Sequence, residues 1–150
     1  MIREYKKSDL IPTSGVWLRS GQAEYHYLVE FQKLNASTAE VIFSRVIQSE
    51  CTIWVYEESE SVVGFMAMKC NYIDRLYIDP PSQGKGIGSK FIAFAKELYP
   101  QGLYLKTHVQ NYRACSFYEG VGFKVVGYGV SPPPESMPDV EYHWMSGKCT

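Results

Sequence analysis

Apolar residues recur at helical spacing in some stretches and alternate in short strand-like runs in others, on both sides of a glycine cluster at positions 84–88. Ile2 to Tyr5 predicts a short first strand. Ser8 is expected to cap a helical segment reaching about Leu34, with Trp17, Tyr25, Tyr27 and Phe31 along it. Pro12 and Gly15 predict that this segment is one broken helix, or a helix and a loop. A clearer helix is expected from Ser37-Thr38, with Val41, Ile42, Val46 and Ile47 on its buried side. Cys51 to Glu57 and Val62 to Cys70 read as a hairpin around the polar turn Glu58 to Ser61. Tyr72 to Ile78 then reads as a central strand.

Beyond the glycines, Ile87, Phe91, Phe94, Ala95 and Leu98 recur at helical spacing. Tyr99-Pro100-Gln101-Gly102 breaks the chain before a strand from Leu103 to Thr107. Asn111 opens a short helix with Ala114, Phe117 and Val121 inward, and Gly122 stands where a left-handed C-cap belongs. Phe123 to Gly127 is a strand, the proline-rich Ser131 to Pro138 an irregular loop, and Val140 to Met145 the last strand. Hairpins followed by strand-helix-strand units imply a mixed α/β sheet. No repeat or linker interrupts the pattern, so residues 1–150 are expected to form a single domain.

Gln83-Gly84-Lys85-Gly86-Ile87-Gly88 lies between the central strand, ended by Asp79-Pro80, and an amphipathic helix. Glycines let the backbone approach a ligand closely and take positive φ, and the first N–H groups of a helix have no partner within it. With the macrodipole behind them, those groups favour an anion such as phosphate. A P-loop would need Gly-Lys-Ser/Thr, whereas Gly88 is followed by Ser89 and Lys90 in the opposite order. A dinucleotide fingerprint would need its third glycine at Ser89 and an acidic residue where Lys106, Thr107 and His108 stand.

The residues do fit Gln/Arg-x-x-Gly-x-Gly/Ala, and here the chain resembles the GNAT superfamily of acetyl-CoA-dependent N-acetyltransferases. A second segment carries the same resemblance. Asn111-Tyr112-Arg113-Ala114-Cys115-Ser116-Phe117-Tyr118-Glu119-Gly120-Val121-Gly122-Phe123 is similar to the family's Asn-x-x-Ala-x-x-Phe-Tyr-x-x-x-Gly-Phe, with every spacing intact. The resemblance implies the GNAT-like acyl-CoA N-acyltransferase fold. That is a central, mostly antiparallel sheet of about six to seven strands flanked by helices, whose two central strands diverge to admit the pantetheine arm.

It also implies acetyl-CoA as cosubstrate and a set of site residues. Backbone N–H groups of Gly84, Lys85, Gly86, Ile87, Gly88 and Ser89 would hold the pyrophosphate, with Gln83 bracing the turn. Main-chain groups of Leu76, Tyr77 and Ile78 would pair with the pantetheine and the acetyl carbonyl. Tyr118 aligns with the tyrosine placed near the cofactor sulfur, where a phenol donates a proton to the departing thiolate. Asn111 would hydrogen-bond the pantetheine arm, cap its own helix, or do both.

The general base is not fixed by the resemblance. Many GNAT enzymes carry a glutamate four residues before the leucine of Leu-x-Ile/Val-x-Pro, and here that position is Tyr72. Asp74 shares its face of the strand by the period of two. Tyr72 and Asp74 rank first and Glu135, in the proline loop, behind them. His108 has the right chemistry at a strand end, and a water chain is a further alternative.

Composition narrows the surroundings. At 150 residues, with 45% apolar and 21% charged, the chain is an ordinary globular length and mix. It is long enough to bury about 70% of the surface its unfolded chain exposes. A net charge of -1 gives no electrostatic reason to expect nucleic acid as a partner. The charged N-terminus shows no signal peptide, and the longest apolar stretch, Val62 to Met68, is too short to span a bilayer, so no membrane association and a cytoplasmic location are expected. Cys51, Cys70, Cys115 and Cys149 lack Cys-x-x-Cys spacing, so neither metal nor disulfides are expected.

Trp17, Tyr25, His26 and Tyr27 fall where the family shapes its acceptor pocket, although core packing accounts for them as well. The Pro138 to Trp144 ending resembles a group of small bacterial GNAT proteins. The expected activity is acetyl transfer to the primary amine of a small molecule or peptide, by direct attack in a ternary complex. A noncatalytic acyl-CoA-binding or sensor module is the alternative, and a nucleotide-binding regulatory domain rests on the glycines alone. A homodimer stays open.

Overall fold

Seven strands form one sheet in the order β1-β2-β3-β4-β5-β7-β6 in the computed structural model, which describes residues 1–146. They are β1 (Ile2–Glu4), β2 (Thr52–Glu58), β3 (Ser61–Lys69), β4 (Tyr72–Ile78), β5 (Leu103–His108), β6 (Lys124–Val130) and β7 (Pro138–Trp144). The β1–β2, β2–β3, β5–β7 and β6–β7 pairs are antiparallel, and β4–β5 is parallel at Tyr72↔Tyr104. The helices are α1 (Leu10–Glu24), α2 (Val29–Gln32), α3 (Ala36–Ile42), α4 (Gln48–Glu50), α5 (Ile87–Leu98) and α6 (Tyr112–Gly120). This is the expected mixed α/β sheet with flanking helices. The chain divides into two compact units, Met1–Cys70 with Asp74–Phe91, and Asn71–Ile73 with the residues from Ile92 onward.

In the first unit the expected broken helix is found, but the break falls at 25–28 between α1 and α2, and α1 itself is continuous through Pro12 and Gly15. Pro12 is the third helical residue, where its missing N–H is one of the groups that lack a helical partner anyway. Ser8 is not the cap. It lies inside a 3₁₀ turn, Lys7–Asp9, where the Asp9 carboxylate accepts from the Lys6 N–H at 2.7 Å and from Arg3 at 2.9 Å. Gly15 leaves room for the Arg19 guanidinium, whose terminal nitrogen lies 3.0 Å from where a Cβ would stand.

The next helix starts at Ala36, capped by Asn35, whose side chain accepts from the Thr38 N–H at 2.9 Å. It runs through a π-helical stretch, Phe43–Ile47, into α4. Ala39, Phe43 and Ile47 are buried, while the expected Val41 and Val46 are 49% and 41% exposed. Phe43 enters a core with Val16, Trp17, Ile53, Val55, Phe65, Ala67 and Tyr77. The β2–β3 hairpin closes through Ser59 and Glu60, both at positive φ, as a two-residue turn matched to strand twist requires.

In the second unit Leu103, Leu105, Val140 and Tyr142 are buried along β5 and β7, with Tyr118 and Phe123 beside them. On α5, Leu98 is 41% exposed rather than buried, and Ile92 takes the inward position the periodicity missed. On α6, Tyr118 is the buried residue, whereas Ala114, Phe117 and Val121 are only partly covered. Gly122 has the positive φ of a C-cap. No helix among the described residues is long and apolar enough to cross a membrane. Cys149 lies outside the described residues. Cys51, Cys70 and Cys115 are free thiols.

Candidate functional site

The glycine turn is built from the end of β4. Asp79 closes that strand, and its carboxylate is gripped by both prongs of the Arg19 guanidinium at 2.9 and 3.0 Å. Pro80–Ser82 then makes one 3₁₀ turn. The Gln83 side-chain amide donates to the Ile78 carbonyl at 2.9 Å, tying the turn back to the strand. Gly84 and Gly86 have φ of +79° and +82°, and a Cβ at either would meet nothing within 4 Å. Their role is therefore conformational, and the space outside them is open. The Lys90 N–H donates to the Gly86 carbonyl at 3.1 Å as the first helical bond, so the N–H groups of Ile87, Gly88 and Ser89 precede the ladder of α5. Lys90 reaches the Tyr56 hydroxyl at 3.2 Å and Lys85 lies 3.9 Å from Glu58. This geometry suits an anion.

Of the strand residues before the turn, Tyr77 is buried against Phe65 and Tyr25. Burial first, and then Tyr25 and Glu24, push its phenol well above the usual tyrosine range. It is a core residue that stays protonated. Leu76 and Ile78 are half-buried.

Asn111 caps α6, its side-chain oxygen accepting from the Ala114 N–H at 3.1 Å. The residue is 6% exposed, and its Nδ2 is buried with no hydrogen-bond partner among the described residues. An unsatisfied buried donor costs about 1–3 kcal/mol unless a ligand accepts from it. A carbonyl-bearing chain such as pantetheine fits that need. Tyr118 packs against Phe117, Phe123 and Tyr142. Burial first, and then donation of its hydroxyl to Glu119 at 2.6 Å, hold the Tyr142 phenol above the usual range.

The expected bases fare differently. Tyr72 packs against Tyr104 in a tilted contact, with ring centroids 4.8 Å apart. Asp74 is ion-paired with Arg75, lies 3.8 Å from the Lys69 ammonium, and has the Cys51 sulfur at 3.7 Å. Glu135 Oε2 lies 3.0 Å from Nε2 of His108, a pairing that 27 positions of separation hid from sequence reasoning. The Arg19–Asp79 fork was likewise missed, having no local signal. Trp17 is a core residue, and His26 is exposed with its ring against Tyr27.

A seven-stranded mixed sheet, with an open glycine turn leading from β4 into a helix, defines an α/β protein whose turn presents unpartnered N–H groups to open space. The chain belongs to the GNAT family: the acetyltransferase (GNAT) domain matches residues 49–125. It is 36% identical over 115 residues to the peptidyl-lysine N-acetyltransferase YjaB of Salmonella typhimurium strain LT2, covering 75% of this chain and 74% of that one. The solution structure of apo-form YjaB from Escherichia coli superposes with a TM-score of 0.81, 26% identity and 98% coverage of each chain. The PaiA N-acetyltransferase of Thermoplasma acidophilum, solved in complex with coenzyme A, shares the fold with a TM-score of 0.73 at 22% identity, covering 97% of this chain and 98% of that one.

Proposed function

We propose that this acetyltransferase transfers the acetyl group of acetyl-CoA to the side-chain amine of a peptidyl lysine by direct attack in a ternary complex. The observation that carries the reading is the open, positively polarised turn at Gly84–Ser89, and the peptidyl-lysine relatives supply the acceptor class. The N–H groups of that turn hold the pyrophosphate, and Gln83 keeps the turn on the strand. Asn111 Nδ2 donates to the pantetheine arm, and backbone groups of Leu76, Tyr77 and Ile78 orient the thioester. The bound cosubstrate supplies an activated acyl carbon. Tyr118 gives its hydroxyl proton to the leaving thiolate; its burial among aromatic rings fixes where that proton is offered. The whole chain acts as one catalytic domain.

The test is a melting curve with and without acetyl-CoA. At a concentration about a hundredfold above its Kd, it should stabilise the fold by roughly 2.7 kcal/mol. Gly86→Val should abolish the shift, because a branched residue resists φ of +82° and its side chain projects into the ligand's space. An unchanged melting temperature at millimolar acetyl-CoA, or full binding by a folded Gly86→Val, contradicts the assignment.

A further inference from the structure

Strand alternation gives β5 and β7 two faces with different chemistry. Leu105 and Tyr142 are opposite one another in the register and buried, and Tyr118 packs on Tyr142. On the other face Tyr104, Lys106 and His108 stand opposite His143, Glu141 and Asp139. His108 ends β5 and is 8% exposed, with its Nε2 3.0 Å from Glu135 Oε2. Glu135 belongs to the proline-rich loop, which closes through the Ser131 N–H to the Met137 carbonyl at 2.8 Å and the Met137 N–H to the Ser131 hydroxyl at 2.9 Å. Its side chain is 47% exposed. A buried ring thus holds one carboxylate oxygen from behind, while nearly half of the side chain faces solvent.

We propose that Glu135 is the general base of the acetyl transfer and that His108 is its positioning residue, an inference that rests on the acetyltransferase reading. The acceptor arrives as an ammonium ion, which a carboxylate attracts and no cation would. Neither Tyr72 nor the doubly ion-paired Asp74 offers an uncommitted negative charge, whereas Glu135 meets Nε2 of His108 through one oxygen and keeps nearly half of its side chain in solvent. Glu135 takes one proton from the ammonium nitrogen. The nitrogen lone pair forms the C–N bond to the acetyl carbon, the C–S bond breaks, and the thiolate takes the Tyr118 proton. The nitrogen gives up its second proton as the amide forms, and through solvent that proton restores the Tyr118 hydroxyl. Glu135 passes its own proton to water, so one proton is released per turnover.

The test uses the full chain, acetyl-CoA and a lysine peptide with a blocked N-terminus. Glu135→Gln should lower kcat by about a hundredfold or more with acetyl-CoA affinity unchanged. His108→Leu, which removes Nε2, should lower kcat by about tenfold, the worth of a hydrogen bond to a charged group. His108→Gln presents an amide N–H near the same place and should stay within about threefold of wild type. His108→Leu added to Glu135→Gln should cost nothing further, because the two act as one unit. Wild-type turnover in Glu135→Gln, or equal losses in His108→Leu and His108→Gln, overturns the pair alone. A wild-type protein that binds acetyl-CoA and never releases thiol overturns the underlying reading, and the pair with it.

Discussion

Asn111 and Cys51 show what single residues contribute. Sequence gave Asn111 two jobs, and the geometry accommodates both, since its oxygen caps α6 and its nitrogen is left as a buried donor. Asp74 looked equivalent to Tyr72 on strand period alone, but ion pairing with Arg75 and Lys69 depends on side-chain reach that no period reveals. The same cluster governs Cys51. Burial, and next the Asp74 carboxylate, push its thiol up to about 11. Because only the thiolate is nucleophilic, Cys51 remains largely unreactive until the pH approaches that value. Iodoacetamide at pH 8, followed by peptide mapping, should alkylate exposed Cys70 at least about tenfold faster than Cys51, with the gap narrowing as pH rises. Equal rates at pH 8 would show that Cys51 is not shielded.

Element boundaries were legible where turn chemistry is strong. Tyr72–Ile78 matches its expected strand, and the glycines mark the start of α5. Helix faces were less so, because apolar residues occur on both sides of a helix: Ala39, Phe43 and Ile47, four apart, are buried, while Val41 and Val46 stand on the exposed side. The difference is measurable. Phe43→Ala, which empties a fully buried site, should destabilise the protein by about 3–5 kcal/mol. Val41→Ala, on the exposed side, should change stability by less than about 0.5 kcal/mol. Denaturant titration of both variants decides between the two faces, and a larger loss from Val41→Ala would restore the face that plain helical periodicity predicts.

For the whole molecule, the strand and helix order that sequence predicts is the order found, and a turn with Gly84 and Gly86 at positive φ falls between β4 and α5. Insertion of β7 between β5 and β6, and the meeting of His108 with Glu135, depend on long-range pairing that spacing cannot encode. Both halves of the chemistry converge on one claim, that acetyl-CoA is used to acetylate lysine. The direct measurement is acceptor-dependent release of CoA thiol from acetyl-CoA and a terminally blocked lysine peptide, with fragmentation mass spectrometry to place the acetyl group. Thiol release should match acetylation of the lysine side chain, and Tyr118→Phe should lower kcat by about a hundredfold or more while binding acetyl-CoA within a few-fold of wild type. Acetyl-CoA binding without peptide-dependent thiol release, or undiminished turnover in Tyr118→Phe, would contradict the account.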